Sequence, residues 1–135
     1  MSAVYVDTSA LGRVLLEEPD EPLIRRALQT FDNHVSSRLL QVELRRLALR
    51  ERVSGADQTL NTVTLAPLDE AILGAAETIE PAGVATLDAI HLATALHIDA
   101  DELVAYERRL LDAAETRALR VASPGLQWRA AEPGR

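Results

Sequence analysis

Four acidic residues occupy positions where a carboxylate could meet a cation. Asp7 directly follows the apolar residues 4–6, and Glu107 follows a second apolar stretch in "LVAYERRL". Glu43 lies on the apolar face of a leucine-rich segment, and Asp88 lies near the start of the segment "TLDAIHLATAL". A charge at the edge of a core costs free energy unless it is paired, solvated or bound to a cation. Because the chain has no cysteine, a set of such oxygen ligands suits Mg²⁺ or Mn²⁺ better than zinc.

Purely structural roles are the alternative for Asp7 and Glu43. Asp, Ser and Thr side chains accept hydrogen bonds from the free N–H groups of a helix's first turn, so Asp7, Thr8 or Ser9 could be a helix cap. Glu43 could pair with an arginine or lie at the solvated margin of its helix. Taken singly, each of these acids is open to either interpretation.

The same alternative applies to Asp88 and Glu107. Thr86 is the expected N-cap of the helix that contains Asp88, and a carboxylate in the first turn interacts favourably with the helix dipole. Glu107 begins a helix in the same way. His91 follows Asp88 by three residues and lies within its reach. A single histidine on a helix is more often packed or hydrogen-bonded than a ligand.

The composition argues against several classes of function. All 14 basic residues are arginine, which excludes mechanisms that need a lysine, such as Walker-type phosphate loops and Schiff bases. The formal net charge of −7 argues against general nucleic-acid binding, although residues 38–52 carry a local excess of arginine. The longest run without Asp, Glu, Lys or Arg, residues 58–68, is too short to span a bilayer, and no signal peptide is apparent. We therefore expect a cytoplasmic protein without membrane association.

Hydrophobic patterning predicts one domain over residues 1–123, followed by a loose tail over residues 124–135. The predicted strands are 4–6, 33–37, 61–68, 103–106 and 119–123. The predicted helices are 9–16, 21–31, 38–53, 69–79, 86–98 and 107–116. Short strands separated by helices favour an α/β fold, a parallel sheet with helices on both faces. Ligand sites in such folds lie at the carboxyl ends of the strands, where Asp7 and Glu107 are expected.

Three stretches of the sequence together resemble the PIN domain family, most closely the VapC-type toxins of bacterial toxin–antitoxin pairs. "VYVDTSAL" is similar to the family's opening motif, "SSRLLQVELRR" to its serine-then-glutamate helix, and "TLDAIHLATAL" to its aspartate-and-histidine helix. The spacing of the motifs covers residues 4 to about 123. The resemblance implies a five-stranded parallel sheet and a metal-dependent endoribonuclease that hydrolyses RNA phosphodiester bonds.

The resemblance also implies roles for individual acids. Asp7, Glu43 and Asp88 match the family's acidic residues, which bind Mg²⁺, with Mn²⁺ as a substitute, and carry the catalysis. Glu107 stands where the family usually has aspartate, and Ala105 where it usually has threonine. Glu107 is therefore the predicted fourth metal ligand and catalytic residue, with a side chain one methylene longer.

Four further residues are candidates for positioning the substrate or water. Thr8 or Ser9 could orient a water or a phosphate oxygen, and Arg13 or Arg109 could hold the RNA backbone, although each arginine is also explained as a surface charge. The implied partners are an RNA substrate, a cognate antitoxin protein and a second copy of the chain. The homodimer interface would include part of the leucine-rich helix at residues 39–49, which is apolar around much of its circumference.

Two other functions fit parts of the pattern. A response-regulator or haloacid-dehalogenase-like domain also places aspartate at a strand end, but the missing lysine and the absence of an Asp-x-Asp pair after the first strand argue against it. A catalytically degenerate PIN-like domain that binds a partner without cutting RNA is the second alternative, and the replacement at Glu107 keeps it open.

Overall fold

Strands and helices alternate through residues 2–126, the part of the chain that the structure, a computed structural model, describes. The strands are β1 (Ala3–Val6), β2 (Asn33–Ser37), β3 (Thr64–Ala66), β4 (Glu102–Val104) and β5 (Arg120–Ala122). The helices are α1 (Thr8–Leu15), α2 (Glu21–Leu28), α3 (Arg38–Glu51), α4 (Ala56–Leu60), α5 (Glu70–Ala76), α6 (Thr86–His97) and α7 (Arg108–Glu115).

The strands form one parallel sheet in the order β3-β2-β1-β4-β5, which confirms the predicted architecture. The central strand β1 pairs with β2 on one side and with β4 on the other, so that Val4 lies opposite both His34 and Glu102. The chain adds β2 and β3 in one direction and then returns to add β4 and β5 in the other. Such a reversal creates a crevice at the carboxyl ends of the strands, here between β1 and β4.

Helices cover both faces of the sheet because β1 is apolar on both. Val4, Tyr5 and Val6 have no exposed surface, and successive side chains of a strand point to opposite faces. Val4 and Val6 pack in a core cluster with residues of α1, α2, α3 and α4, whereas Tyr5 packs with residues of α6 and α7. An aliphatic core on each side therefore fixes β1, and with it the position of the residue that follows the strand.

Several predicted element boundaries are wrong. The helix predicted over 21–31 ends at Leu28, and the strands predicted over 61–68 and 103–106 are only three residues long in the structure. The short helix α4 was not predicted, because five residues that bury only Leu60 give no helical hydrophobic period. Gly55, the N-cap of that helix, has a φ of 103°, a backbone conformation that favours glycine.

The predicted cap at Thr86 is also wrong. Helix α6 begins at Thr86, and its N-cap is Ala85, whose carbonyl accepts the hydrogen bond from the Ala89 N–H at 2.9 Å. A preceding turn, closed by the Val84 N–H on the Pro81 carbonyl, brings the backbone into the helix one residue earlier than the side chains suggest. Asp88 remains in the first helical turn, as expected.

The predicted tail is described only at its start. The Tyr106 hydroxyl donates to the carbonyl of Pro124, and the Leu126 N–H donates to the carbonyl of Ser123. Residues 127–135, where a loose tail remains a prediction, lie outside the described residues. Within residues 2–126, none of the helices has the length and hydropathy needed to cross a membrane.

Candidate active site

Asp7 lies at the crevice, where β1 ends and α1 begins. It is the N-cap of α1: its Oδ2 accepts hydrogen bonds from the Ser9 N–H at 3.1 Å and from the Ser9 hydroxyl at 2.6 Å. The capping interpretation of Asp7 is therefore correct for this oxygen, and Thr8 and Ser9 are not the cap. The other oxygen, Oδ1, is buried and has no hydrogen-bond partner. A buried acceptor without a partner costs free energy, and a cation bound to Oδ1 would offset that cost.

Ser9 connects Asp7 to the neighbouring strand end. Its hydroxyl donates to Asp7 Oδ2 and accepts from the Tyr106 N–H at 2.8 Å, just beyond β4. The Asp7 N–H itself donates to the carbonyl of Val104 at 3.0 Å. These bonds tie the carboxyl ends of β1 and β4 together and hold the Asp7 carboxylate between them.

Glu43 reaches the same crevice from α3. Its Oε1 accepts hydrogen bonds from the Thr8 hydroxyl and from Nε2 of His91, each at 2.6 Å, so its partners are these two residues and not the arginine considered as an alternative. Burial alone would raise the pKa of Glu43, but the hydrogen bonds from His91 and Thr8 and the charge of His91 outweigh it and hold the pKa below its usual value. Helix α1 approaches α3 closely at Gly12, where a Cβ would lie 2.9 Å from Leu47 Cδ2. This approach brings Thr8 within reach of Glu43.

His91 is the site residue that the sequence did not assign. It is 1% exposed, its Nδ1 lies 2.6 Å from the Tyr5 hydroxyl, and its Nε2 lies 3.7 Å from Asp7 Oδ1. Its hydrogen bonds go to Tyr5, Glu43 and Thr8 rather than to Asp88. Burial lowers the pKa of His91, but the Glu43 hydrogen bond and the charges of Asp7, Glu43 and Asp88 raise it above the usual value. Its place in the motif "TLDAIHLATAL" and its spacing from Asp88 signalled a role, but the spacing pointed to a different partner.

Asp88 and Glu107, together with Asp7 and Glu43, form what we call the acidic edge of the crevice. Burial, and then the charges of Asp7, Glu107 and Glu43, raise the pKa of Asp88 to about 6, against the opposing charge of His91. Glu107 is the N-cap of α7, and its Oε1 accepts from the Arg109 N–H at 3.3 Å. The four carboxylates therefore share one electrostatic environment. Among residues 2–126, however, no three acidic or histidine side chains converge closely enough to coordinate one ion as they stand.

The two candidate arginines have local partners. The Arg13 guanidinium donates to Asp20 at 2.9 Å and lies 3.9 Å from the centre of the Tyr106 ring, an arrangement that favours a cation–π contact. The Arg109 guanidinium donates to the carbonyl of Gly83 at 3.2 Å. Both arginines thus have structural contacts near the site, and their contact with RNA stays a prediction.

An open groove of about 670 Å³ runs from the acidic edge between α1 and α3. Thr8, Ser9 and Glu43 line it at the crevice, and Arg46 and Arg50 line it one and two helical turns further along α3. A negatively charged polymer lying in the groove would contact the arginines at one end and reach the carboxylates at the other.

Comparison with known proteins agrees with this geometry. A family profile described as PIN domain matches residues 4–116. Ribonuclease VapC46 of Mycobacterium tuberculosis is 36% identical over 129 residues, which is 92% of this chain and 99% of that relative. Ribonuclease VapC47 of the same species is 37% identical over 132 residues, covering 90% of this chain and 97% of that relative. Ribonuclease VapC35 is 32% identical over the same share of each chain. Because the profile match spans the strands and helices that carry all four carboxylates, the chain belongs to the PIN domain family.

Proposed function

We propose that this chain is a divalent-metal-dependent endoribonuclease, the toxin of a toxin–antitoxin pair, that hydrolyses RNA phosphodiester bonds. The observation that carries the proposal is the buried, unpartnered Oδ1 of Asp7 at the strand-order reversal, with three further carboxylates close enough to influence one another. The similarity to VapC ribonucleases supports the reaction and the substrate class.

The residues that would hold Mg²⁺ or Mn²⁺ are Asp7, Glu43, Asp88 and Glu107. Their oxygens are the hard ligands that these ions prefer, and mutual repulsion among them is what a cation would relieve. When bound, the ion supplies charge neutralisation at the phosphate and a more acidic water. The chain's own contribution is to hold the carboxylates: Ser9 fixes Asp7, and Thr8 with His91 fixes Glu43.

Groove and surface features support the proposed partners. The formal net charge of −7 disfavours RNA at long range, so attraction would come from the bound cation and from Arg46 and Arg50 in the groove. Val42 and Leu49 on α3 are 59% and 70% exposed, which suits a surface covered by a second copy of the chain or by an antitoxin. The protein would act in the cytoplasm, where its RNA substrate is found.

A binding module that no longer cuts RNA is the second candidate. Glu107 is engaged as the N-cap of α7, and Ala105, at the position where threonine is usual in the family, is fully buried. Both features would weaken the fourth ligand position. This candidate predicts partner binding and no RNA hydrolysis with any metal.

The test is cleavage of a random-sequence RNA pool in Mn²⁺, in Mg²⁺ and in EDTA. We expect metal-dependent cleavage by the wild type, its loss in Asp7→Asn and Asp88→Asn, and wild-type-like circular dichroism for both variants. Asp7→Asn can keep the Oδ2 hydrogen bonds through its amide oxygen, so its fold should survive. Asp57→Asn, which changes an exposed aspartate paired with Arg45, is the control and should cleave normally. Wild-type-like cleavage by either site variant would reject the metal site, and metal binding without cleavage would favour the binding module.

A further inference from the structure

A buried chain of hydrogen bonds leads from Tyr5 through His91 to the carboxylate of Glu43. Tyr5 on β1 and His91 on α6 are 0% and 1% exposed. The Tyr5 hydroxyl bonds to Nδ1 of His91, and Nε2 of His91 bonds to Oε1 of Glu43, both at 2.6 Å. The Thr8 hydroxyl donates to the same glutamate oxygen. Oε1 of Glu43 thus receives two hydrogen bonds.

The partners of the imidazole determine where its protons lie. An ionised carboxylate only accepts, so Nε2 must carry a proton to bond Glu43. In the neutral ring, Nδ1 then accepts the proton of the Tyr5 hydroxyl, and in the charged ring Nδ1–H donates to the Tyr5 oxygen. Both hydrogen bonds survive in either state. The network therefore holds Glu43 whatever the charge on His91.

Holding Glu43 matters because its side chain is long and only half-buried. A free glutamate would lose rotamer entropy on binding an ion, and a fixed one has lost it already during folding. His91 and Glu43 come from helices on opposite faces of the sheet, and their side chains meet at the carboxyl ends of the strands. The imidazole, with both nitrogens engaged by protein groups, is not available as a ligand itself.

We propose that the Tyr5–His91 pair is a positioning device for metal binding, which holds Glu43 so that it can share a divalent cation with Asp7. This inference rests on the proposed function. Hydrogen-bond partners of metal ligands typically change metal affinity by about 10- to 100-fold when removed. If His91 only fills space in the core, its replacement should change stability and leave metal affinity unaffected.

Two matched substitutions of His91 separate these cases. The amide of His91→Gln reaches the position of Nε2 and can still donate to Glu43, whereas the shorter amide of His91→Asn reaches only the position of Nδ1. We expect calorimetry with Mn²⁺ to show a dissociation constant about 10- to 100-fold higher for His91→Asn. His91→Gln should stay within about threefold of wild type, since it keeps the donor. His34→Asn is the control: this histidine bonds the Leu28 carbonyl away from the crevice, and its loss should leave Mn²⁺ affinity unchanged.

Melting temperatures measured alongside make the result decisive. Equal Mn²⁺ affinity for wild type and both His91 variants would overturn the inference. An equal loss of Mn²⁺ affinity in both variants, in proportion to their loss in melting temperature, would also overturn it. If neither variant folds, Tyr5→Phe decides, because it keeps the ring and removes only the hydroxyl. We expect it to weaken Mn²⁺ binding by at least about threefold, and an unchanged dissociation constant would overturn the inference. Failure of the wild type to bind Mn²⁺ would instead reject the proposed metal site, and this inference with it.

Discussion

Replacing Asp88 with asparagine should stabilise the metal-free protein at alkaline pH and reduce the stability that the protein gains on binding metal. The pKa of Asp88 is raised from 3.8 to about 6, by burial first and then by Asp7, Glu107 and Glu43. A raised pKa means that the contribution of Asp88 to stability is fully present below pH 3.8 and is lost as the pH rises through 6. Above that pH, without metal, the wild type holds a carboxylate whose ionisation the fold disfavours.

The size of this effect follows from the difference between the two pKa values. About two pH units correspond to about 3 kcal/mol for a fully buried group. Asp88 is only half-buried, so solvent screening reduces the penalty to about 1–1.5 kcal/mol. Asp88→Asn also forfeits about 0.3–1 kcal/mol of helix-dipole stabilisation. The net gain at pH 8 is therefore up to about 1 kcal/mol, or about 3–4 °C in melting temperature for a domain of this size.

The assay is a set of melting curves in EDTA and in millimolar Mn²⁺, at pH 4.5 and pH 8. In EDTA at pH 8 the variant should melt at or above the wild type, and at pH 4.5 its advantage should be smaller. In Mn²⁺ the wild type should gain more, about 2.7 kcal/mol if the ion stands at 100 times its dissociation constant. Glu70→Gln, which removes an exposed acid from the first turn of α5, is the matched control for the dipole effect.

One outcome would contradict the predicted destabilisation by ionised Asp88. If Asp88→Asn loses as much stability as Glu70→Gln in EDTA at pH 8, Asp88 is only a favourable helix-end charge. An equal rise in melting temperature with Mn²⁺ for wild type and Asp88→Asn would further show that Asp88 is not a metal ligand.

Two further predictions test other parts of the structure. Ser9→Ala removes the acceptor of the Tyr106 N–H and one donor to Asp7. Urea denaturation should therefore show a free energy of unfolding lower by about 1–3 kcal/mol. A decrease below about 0.5 kcal/mol would contradict the role assigned to the Ser9 hydroxyl. Light scattering at high micromolar concentration should show a dimer for the wild type and a monomer for Leu49→Glu, which places a charge at a residue that is 70% exposed; a strictly monomeric wild type would reject the expected interface.

The local pattern of the sequence was sufficient for the sheet and for two of the acids. Apolar runs of three or four residues followed by a carboxylate predicted that Asp7 and Glu107 stand at strand ends. Asp7 directly follows β1, whereas Glu107 lies three residues beyond the end of β4, as the N-cap of α7. The alternation of strand and helix predicted the parallel sheet, and parallel strands bring their carboxyl ends to one edge. These features depend on the hydrophobic periodicity of short segments and on the order in which strands and helices follow one another along the chain.

Element boundaries were less well determined because they depend on competing backbone contacts. Thr86 has the side chain of a cap, yet the turn before it places Ala85 in that position. Helix α4 has no apolar period of its own and is held by the burial of Leu60. In both cases the surrounding structure, not the local propensity, decides where the helix begins.

The groups that the carboxylates contact depend on long-range packing. Glu43 is bonded to His91, 48 positions away in the sequence, and His91 is bonded to Tyr5, 86 positions away. The first contact joins helices that cover opposite faces of the sheet, and the second joins a helix to the central strand, so the partners are far apart in the sequence. The two oxygens of Asp7 likewise became distinct, one capping α1 and the other without a partner, because Ser9 can reach only one of them. A hydrogen bond depends on distances of a few tenths of an ångström, which packing sets after the local pattern has fixed the elements.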